Sequence, residues 1–301
     1  MRSLRSLGCW VGAALLLIAA GTRETRGEGP ASREAIRSPL FADENLLAWC
    51  IVPYDQRERS PTERIALLRE LGLRQYVWDW RERHLSTLNQ EIEAAREGGV
   101  KLRGVWLWID ERNDRIGALG PANTNVVQTV AAAGLSLEWW VGFHANVFSQ
   151  ATDGERIAHG AAWARYLRDL AAPSQGTIVL YNHGDWFGEP ENQIRIIAAA
   201  GKERLGMVYN FHHAHAQIDR FGDLLPKMLP HLRAVVINGM RPEGPKILPV
   251  GSGLHERRML RALADSGYQG PIGILGHVED ADVGEVLRRN RDGLHAIAAG
   301  R

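Results

Sequence analysis

Eight short apolar runs recur along this chain with room for one helix after each, and that alternation limits the fold more than any other feature. The runs are NLLAWCIV, RQYVWDW, VKLRGVWLWI, LEWWVGF, TIVLYNH, LGMVYN, LRAVVIN and GPIGILG. They are rich in β-branched and aromatic residues, as strands buried on both faces require. Segments of helical period fill the intervals, at about residues 61–71, 85–97, 122–133, 153–171, 190–200, 219–229, 256–266 and 282–298. Ser60-Pro61 and Glu189-Pro190 place proline at a first helical position, and Gly72 and Gly267 fall where helices end. Such alternation builds a parallel sheet. Eight repeats in roughly 250 residues match a closed (β/α)₈ barrel. An open doubly wound sheet would normally carry a glycine-rich turn after its first strand, whereas Val52-Pro53-Tyr54-Asp55 follows here. The expectation is α/β class, a single (β/α)₈ TIM barrel over residues 43–301.

Ahead of the barrel, Arg2 and Arg5 precede an apolar stretch from Cys9 to Ala20, which ends in small residues around Ala19-Ala20-Gly21. Basic, apolar and small regions in that order form a secretory signal, and the stretch is short for a membrane-spanning helix. Residues 1–27 therefore read as a signal peptide, with a retained N-terminal membrane anchor as the alternative, and 28–42 as a flexible polar lead-in. The expected location is outside the cytoplasm, periplasmic or extracellular, with no stable membrane association once the signal is removed. Cys50 is then the one remaining cysteine, in apolar surroundings that suit a buried thiol better than a nucleophile. With no cysteine to pair with, an exported chain must hold together by its core.

Charge narrows the partners. Lys and Arg total 36 against 35 Asp and Glu, with no basic run to track a phosphate backbone, so nucleic acid is not an expected partner.

In a barrel of this kind the site is assembled at the C-terminal ends of the strands. Strand five runs into Asn182 and His183 before a glycine, which puts both at the rim. An imidazole titrates near neutrality, so His183 suits proton transfer, with loop hydrogen bonding as its alternative. Glu189 and Glu191 flank a helix start, where the macrodipole favours carboxylates structurally. Strand six leads into YNFHHAHAQ, where His213 and His215 would share one face of an extended segment and His212 would point away. Two imidazoles on one face fall short of the three ligands that a catalytic metal site takes, and no HExxH or paired-cysteine spacing supplies more. Among ten tryptophans, Trp78 with Trp80 and Trp106 with Trp108 recur at spacing two. Each pair then points to one side of its strand. Trp80, Trp108 and Trp186 lie nearest the rim, where an aromatic face suits the C–H face of a sugar. Gly251-Ser252-Gly253 before a helix offers amide N–H groups to an anion.

These motifs resemble the xylose-isomerase-like barrels, a superfamily that includes sugar phosphate isomerases and epimerases and the apurinic endonuclease 2 type of barrel. TIVLYNHG is similar to its strand-five ENH, LGMVYNFHH to its strand-six D-x-x-H, and PVGSG with the later SGYQGPIGI to its passage into strand eight. The resemblance covers residues 45–298. It implies a divalent-metal site of glutamate, aspartate, histidine and glutamate from strands five to eight. Those positions hold Tyr181, Asn210, the stretch from Val236 to Asn238, and Leu275 or Gly276. His183 and His213 are the matches that carry over.

The expectations are accordingly no metal ligands from the family set, a cofactor left unknown, and a small-molecule carbohydrate as ligand. His183 and His213 are the catalytic candidates. Asn182, Asn210, Asn238, His215, Trp108, Trp186, Asp79, Asp110 and His277 are the substrate-binding candidates. The reading is an isomerase-, epimerase- or lyase-like sugar enzyme using histidine acid/base chemistry. Its alternative is an exported carbohydrate-binding barrel without catalysis; a DNA-repair endonuclease fits neither the charge nor the signal. Oligomeric state stays open.

Overall fold

The computed structural model describes residues 34–301, so the signal segment at 1–27 and the first part of the lead-in lie outside the described residues. Eight parallel strands close into one barrel in chain order. They are β1 (Leu46–Trp49), β2 (Gln75–Trp78), β3 (Lys101–Ile109), β4 (Glu138–Phe143), β5 (Thr177–Tyr181), β6 (Leu205–Asn210), β7 (Leu232–Ile237) and β8 (Ile272–Leu275). β1 closes against β8, with Leu46 beside Ile272 and Trp49 beside Leu275. Every residue of β1, β4, β6 and β8 is buried, as expected when side chains fill the barrel on one face and meet helices on the other.

One helix follows each strand: α1 (Pro61–Glu70), α2 (Leu88–Gly98), α3 (Pro121–Ala132), α4 (Asp153–Ala171), α5 (Pro190–Ala200), α6 (Phe221–Met228), α7 (Glu256–Asp265) and α8 (Val283–Ala298). The helix starts follow local chemistry. Ser60 caps α1 in a reciprocal box with Glu63 just ahead of Pro61, and Thr152 and Glu155 do the same for α4. The helix expected from residue 85 begins later, because a 3-10 turn at Glu82–Thr87 precedes α2 and His84 Nδ1 accepts the Arg81 N–H. None of the described helices is long and apolar enough to cross a membrane.

The end of the lead-in packs on the barrel. Ile36, Leu40 and Phe41 are buried, and the Ile36 N–H donates to Ala298 O at 2.9 Å, against the end of α8.

Two polar and aromatic clusters organise the interior. At the N-terminal end Glu138 accepts from Arg103, Arg233 and the Trp140 indole. Nearer the strand C-termini, Trp49, Trp106, Trp140 and Tyr181 pack together, with Trp49 4.9 Å from Trp140 and 5.5 Å from Tyr181 between ring centroids. Gly142 makes room for this layer, since a Cβ there would stand 2.3 Å from the Trp106 ring.

Candidate active site

Above that aromatic layer the strand ends and following loops enclose a cavity of about 700 Å³. One wall is imidazole. His183 after β5, His212 and His213 after β6, and His277 after β8 all line it. Ring centroids are 4.6 Å apart for His183 and His213, 4.4 Å for His212 and His213, and 5.2 Å for His212 and His277. Indoles of Trp80, Trp106 and Trp108 also line the cavity, and the Trp108 ring meets His183 edge-on at 4.8 Å. Trp80 is fixed by its indole N–H, which donates to Trp106 O at 2.8 Å.

Burial sets the charge of the imidazole wall. Desolvation is the largest cause in each case, and neighbouring imidazoles or cations add to it. His213 is pushed down to about 2, and His212 and His277 to about 4. His183 is also lowered, although it opens to solvent at the mouth, because the surrounding protein still displaces water from its ring. The wall is therefore uncharged near neutral pH.

Two carboxylates in the lining behave oppositely. Asp79, at the end of β2, is 2% exposed, and burial raises its carboxyl to about 6. Its Oδ1 accepts the Ile51 and Val52 N–H groups, each at 3.2 Å, and so fixes the turn after β1. Asp110, at the end of β3, is held well below the usual carboxylate range, chiefly by hydrogen bonds from Arg112 and also by one from Asn146 at 2.9 Å.

The structure brings together five of the expected residues besides Asp79 and Asp110: His183, His213, His277, Trp108 and, with them, Trp80. The others lie elsewhere. Asn182 and Asn210 form a buried pair, with Asn182 Oδ1 accepting the Asn210 N–H at 2.7 Å and Asn182 Nδ2 donating to Asn210 O at 3.1 Å. Asn210 Nδ2 donates in turn to the Tyr181 hydroxyl. Asn238 Nδ2 donates to Lys246 O at 3.0 Å, and His215 sits between Arg241 O at 2.6 Å and Lys246 O at 2.9 Å. These two brace the loop after β7 and are not among the lining residues. Trp186 packs against Phe148 at 5.2 Å and donates to Asp153 at 3.0 Å, also away from the cavity.

The expected shared face of His213 and His215 is corrected by two 3-10 turns, Phe211–His213 and His215–Arg220. With three residues per turn the related pair is His212 and His215, and both rings reach Lys246 O. His212, expected to point away, lines the cavity. The Gly251-Ser252-Gly253 turn is already filled from within. Glu256 Oε1 accepts the N–H groups of Gly251 and Gly253, and its Oε2 accepts that of Met240.

Tyr54 and Arg81 also line the site, and nothing in the sequence reading marked them. Tyr54 lies 3.8 Å from His277 between centroids and accepts from Arg81 at 2.7 Å. The signal for both was position, since each follows a strand end by a few residues.

A closed barrel of eight parallel strands, with a polar and aromatic cavity at its C-terminal mouth, defines a (β/α)₈ barrel. The family model described as xylose isomerase-like TIM barrel matches residues 77–292, and the chain belongs to that family. Its fold is similar to that of a D-psicose 3-epimerase solved in the presence of D-fructose, with a TM-score of 0.63 and 13% identity over 83% of this chain and 97% of that one. It is likewise similar to a 3-keto-D-glucoside 4-epimerase from E. coli, with a TM-score of 0.61 and 14% identity over 84% of this chain and 98% of that one. A D-psicose 3-epimerase from Clostridium cellulolyticum H10, solved with D-tagatose, gives a TM-score of 0.59 and 12% identity over 83% and 97%. At these identities the shared property is the fold. No curated protein sequence matches the chain.

Proposed function

We propose that this protein is a sugar isomerase- or epimerase-type enzyme that moves protons with histidine in place of the metal-bridged carboxylates its family resemblance implies. The observation that carries the reading is that four imidazoles and three indoles line one cavity at the C-terminal mouth of the barrel. Uncharged imidazoles offer ring nitrogens to hydroxyl and carbonyl oxygens, and the indoles beside them suit a sugar's C–H surface.

The donor set at the family's metal positions does not suit a hard divalent cation, which takes several oxygen ligands with carboxylates prominent among them. Tyr181 and Asn210 stand where a glutamate and an aspartate would. The Tyr181 hydroxyl is engaged by Trp49 and Asn210, and burial keeps it far from ionising. Among the described residues no group of three or more His, Cys, Asp or Glu is set to hold one metal ion. No step is therefore routed through a cation.

His183 and His213 then divide the work. His183 opens to solvent and serves as the base that takes a proton from the carbon next to a carbonyl. His213, pushed down to about 2, is too weak a base for that and acts as a neutral imidazole that donates a hydrogen bond to the carbonyl oxygen. The C–H electron pair becomes the C=C bond of an enediolate while the carbonyl pair moves onto its oxygen. The proton on His183 is then delivered to the former carbonyl carbon, and the vicinal hydroxyl's proton passes to the former carbonyl oxygen, which leaves the isomer with its carbonyl on the neighbouring carbon. A second reading, a carbohydrate-binding barrel without turnover, is favoured by the replaced strand-five and strand-six positions alone.

The test is exchange of substrate carbon-bound hydrogen in heavy water, read by NMR with D-fructose, D-psicose and D-tagatose. Deuterium next to the carbonyl, lost in His183→Ala, supports the enzyme. Binding without exchange supports the binder. Export is part of the same proposal, from the order of residues in 1–27, and an intact Met1 on protein from the native host would end it.

A further inference from the structure

The cavity is too large for the ligand that its histidine end alone would hold. A covalently bonded sugar packs its heavy atoms more tightly than the ~30 Å³ that liquid water takes per molecule, so the twelve heavy atoms of a hexose occupy less than about 360 Å³. The cavity, which opens at the barrel mouth, measures about 700 Å³. The cavity extends to the turn between β3 and α3, since Asn113 and the stretch from Gly120 to Asn123 line it together with the histidines.

That turn is built as a fixed wall. Asp114, 4% exposed, accepts from Asp110 N at 3.0 Å, Gly120 N at 2.8 Å and Asn123 Nδ2 at 3.0 Å. Asn123 Nδ2 also donates to Trp108 O at 2.8 Å, which ties the wall to the indole face. Asp110 joins it to the loop after β4 through Asn146. Polar capacity is left over on this wall. Asn123 is 4% exposed and its Oδ1 has no partner among the described residues. α3 begins here on Gly120 with no side-chain cap, so amide N–H groups of its first turn remain available to hydroxyls. Pro121 and Ala122 add apolar surface between them.

We infer that the site takes a two-ring saccharide, a disaccharide or a glycoside with a ring-sized aglycone, whose reacting ring lies against His183 and His213 and whose second ring lies between Trp108 and the β3–α3 turn. This rests on the carbohydrate reading and adds the substrate class. The fixed turn is preorganised, so a second ring adds contacts without the cost of ordering a loop.

The experiment titrates the intact protein with D-glucose, D-fructose, maltose, cellobiose and sucrose, read by tryptophan fluorescence and calorimetry. At least one disaccharide should bind about tenfold or more tighter than either monosaccharide, a difference that two further hydrogen bonds supply. Ala122→Trp, which fills the turn end, and Asn113→Ala, an exposed change that spares the fold, should each lower the ratio of disaccharide to monosaccharide affinity. Monosaccharides binding as well as every disaccharide would overturn the two-ring inference and leave the carbohydrate reading standing. Failure of all five sugars to bind would overturn both.

Discussion

The Trp49 indole N–H donates to the Tyr181 hydroxyl at 3.0 Å, joining β1 to β5 through the barrel interior. The same hydroxyl accepts from Asn210, so one phenol oxygen serves two buried donors from different strands. Tyr181→Phe keeps the ring packing and strips both donors of their acceptor. At about 1–3 kcal/mol for each buried group left unpaired, the variant should lose roughly 2–4 kcal/mol, read by chemical denaturation with an unchanged m-value. A loss below about 0.5 kcal/mol would mean that water replaces the hydroxyl.

His183 and His215 predict opposite phenotypes. His183 lines the cavity and makes no side-chain hydrogen bond that holds the fold, so His183→Ala should remove turnover or binding at little cost in stability. His215 is 9% exposed, its ring nitrogens lie 2.6 Å from Arg241 O and 2.9 Å from Lys246 O, and its N–H holds the loop after β7. His215→Ala should cost about 1–3 kcal/mol and raise proteolysis of that loop. The same effect from both substitutions would contradict the assignment.

Acid should destabilise the fold as pH falls below 6.5, through its buried histidines. His212, His213 and His277 have folded pKa values depressed to about 4, 2 and 4 from 6.5. Below 6.5 the unfolded chain takes up protons that the folded chain does not, so stability present above 6.5 is lost as pH falls. Each such histidine steepens the loss by up to about 1.4 kcal/mol per pH unit. Asp79 has the opposite sign. Raised from 3.8 to about 6, it contributes stability below 3.8 that is lost as pH rises through 6. Three histidines outweigh one carboxyl, so urea midpoints should fall from pH 7 to pH 4.5. Asp79→Asn keeps an oxygen for the Ile51 and Val52 amides and should stabilise the protein at pH 7 and not at pH 3.5. A flat profile would show that the imidazoles are hydrated and unshifted.

Glu256 acts as a built-in anion for the turn before α7. Glu256→Ala leaves the amides of Met240, Gly251 and Gly253 without their acceptor. The variant should be destabilised by about 2–3 kcal/mol and partly rescued by sulfate, which has no such effect on the parent. Equal sulfate effects on both would mean that the vacated turn does not bind anions.

The architecture was legible because periodicity is local. NLLAWCIV to GPIGILG mark all eight strands, and Pro61 and Pro190 mark helix starts that the structure keeps. Rim position was legible for the same reason, since His183 and Asp110 each follow a strand end and Trp108 lies one residue inside one. Orientation was not. Whether His212 or His215 turns inward depends on the 3-10 winding after β6, and Asn182 and Asn210 spend their polar atoms on each other. Both outcomes arise from contacts between strands, which no single run of residues records. Tyr54 and Arg81 escaped notice because ordinary residue types became site residues only through the geometry of closure.

Donors from His212, His215 and Asn238 converge on one acceptor, and that acceptor is the main-chain oxygen of Lys246. A junction made by the backbone is indifferent to which side chain the position carries. Substitution at 246 should therefore drift freely over evolutionary time, whereas inserting or deleting a single residue between Gly239 and Leu248 would carry the oxygen out of reach of all three partners. The loop after β7 is open to changes of spelling and closed to changes of length. Because His212 belongs to the cavity wall, any homologue with a loop of different length must also have redrawn that side of its binding site.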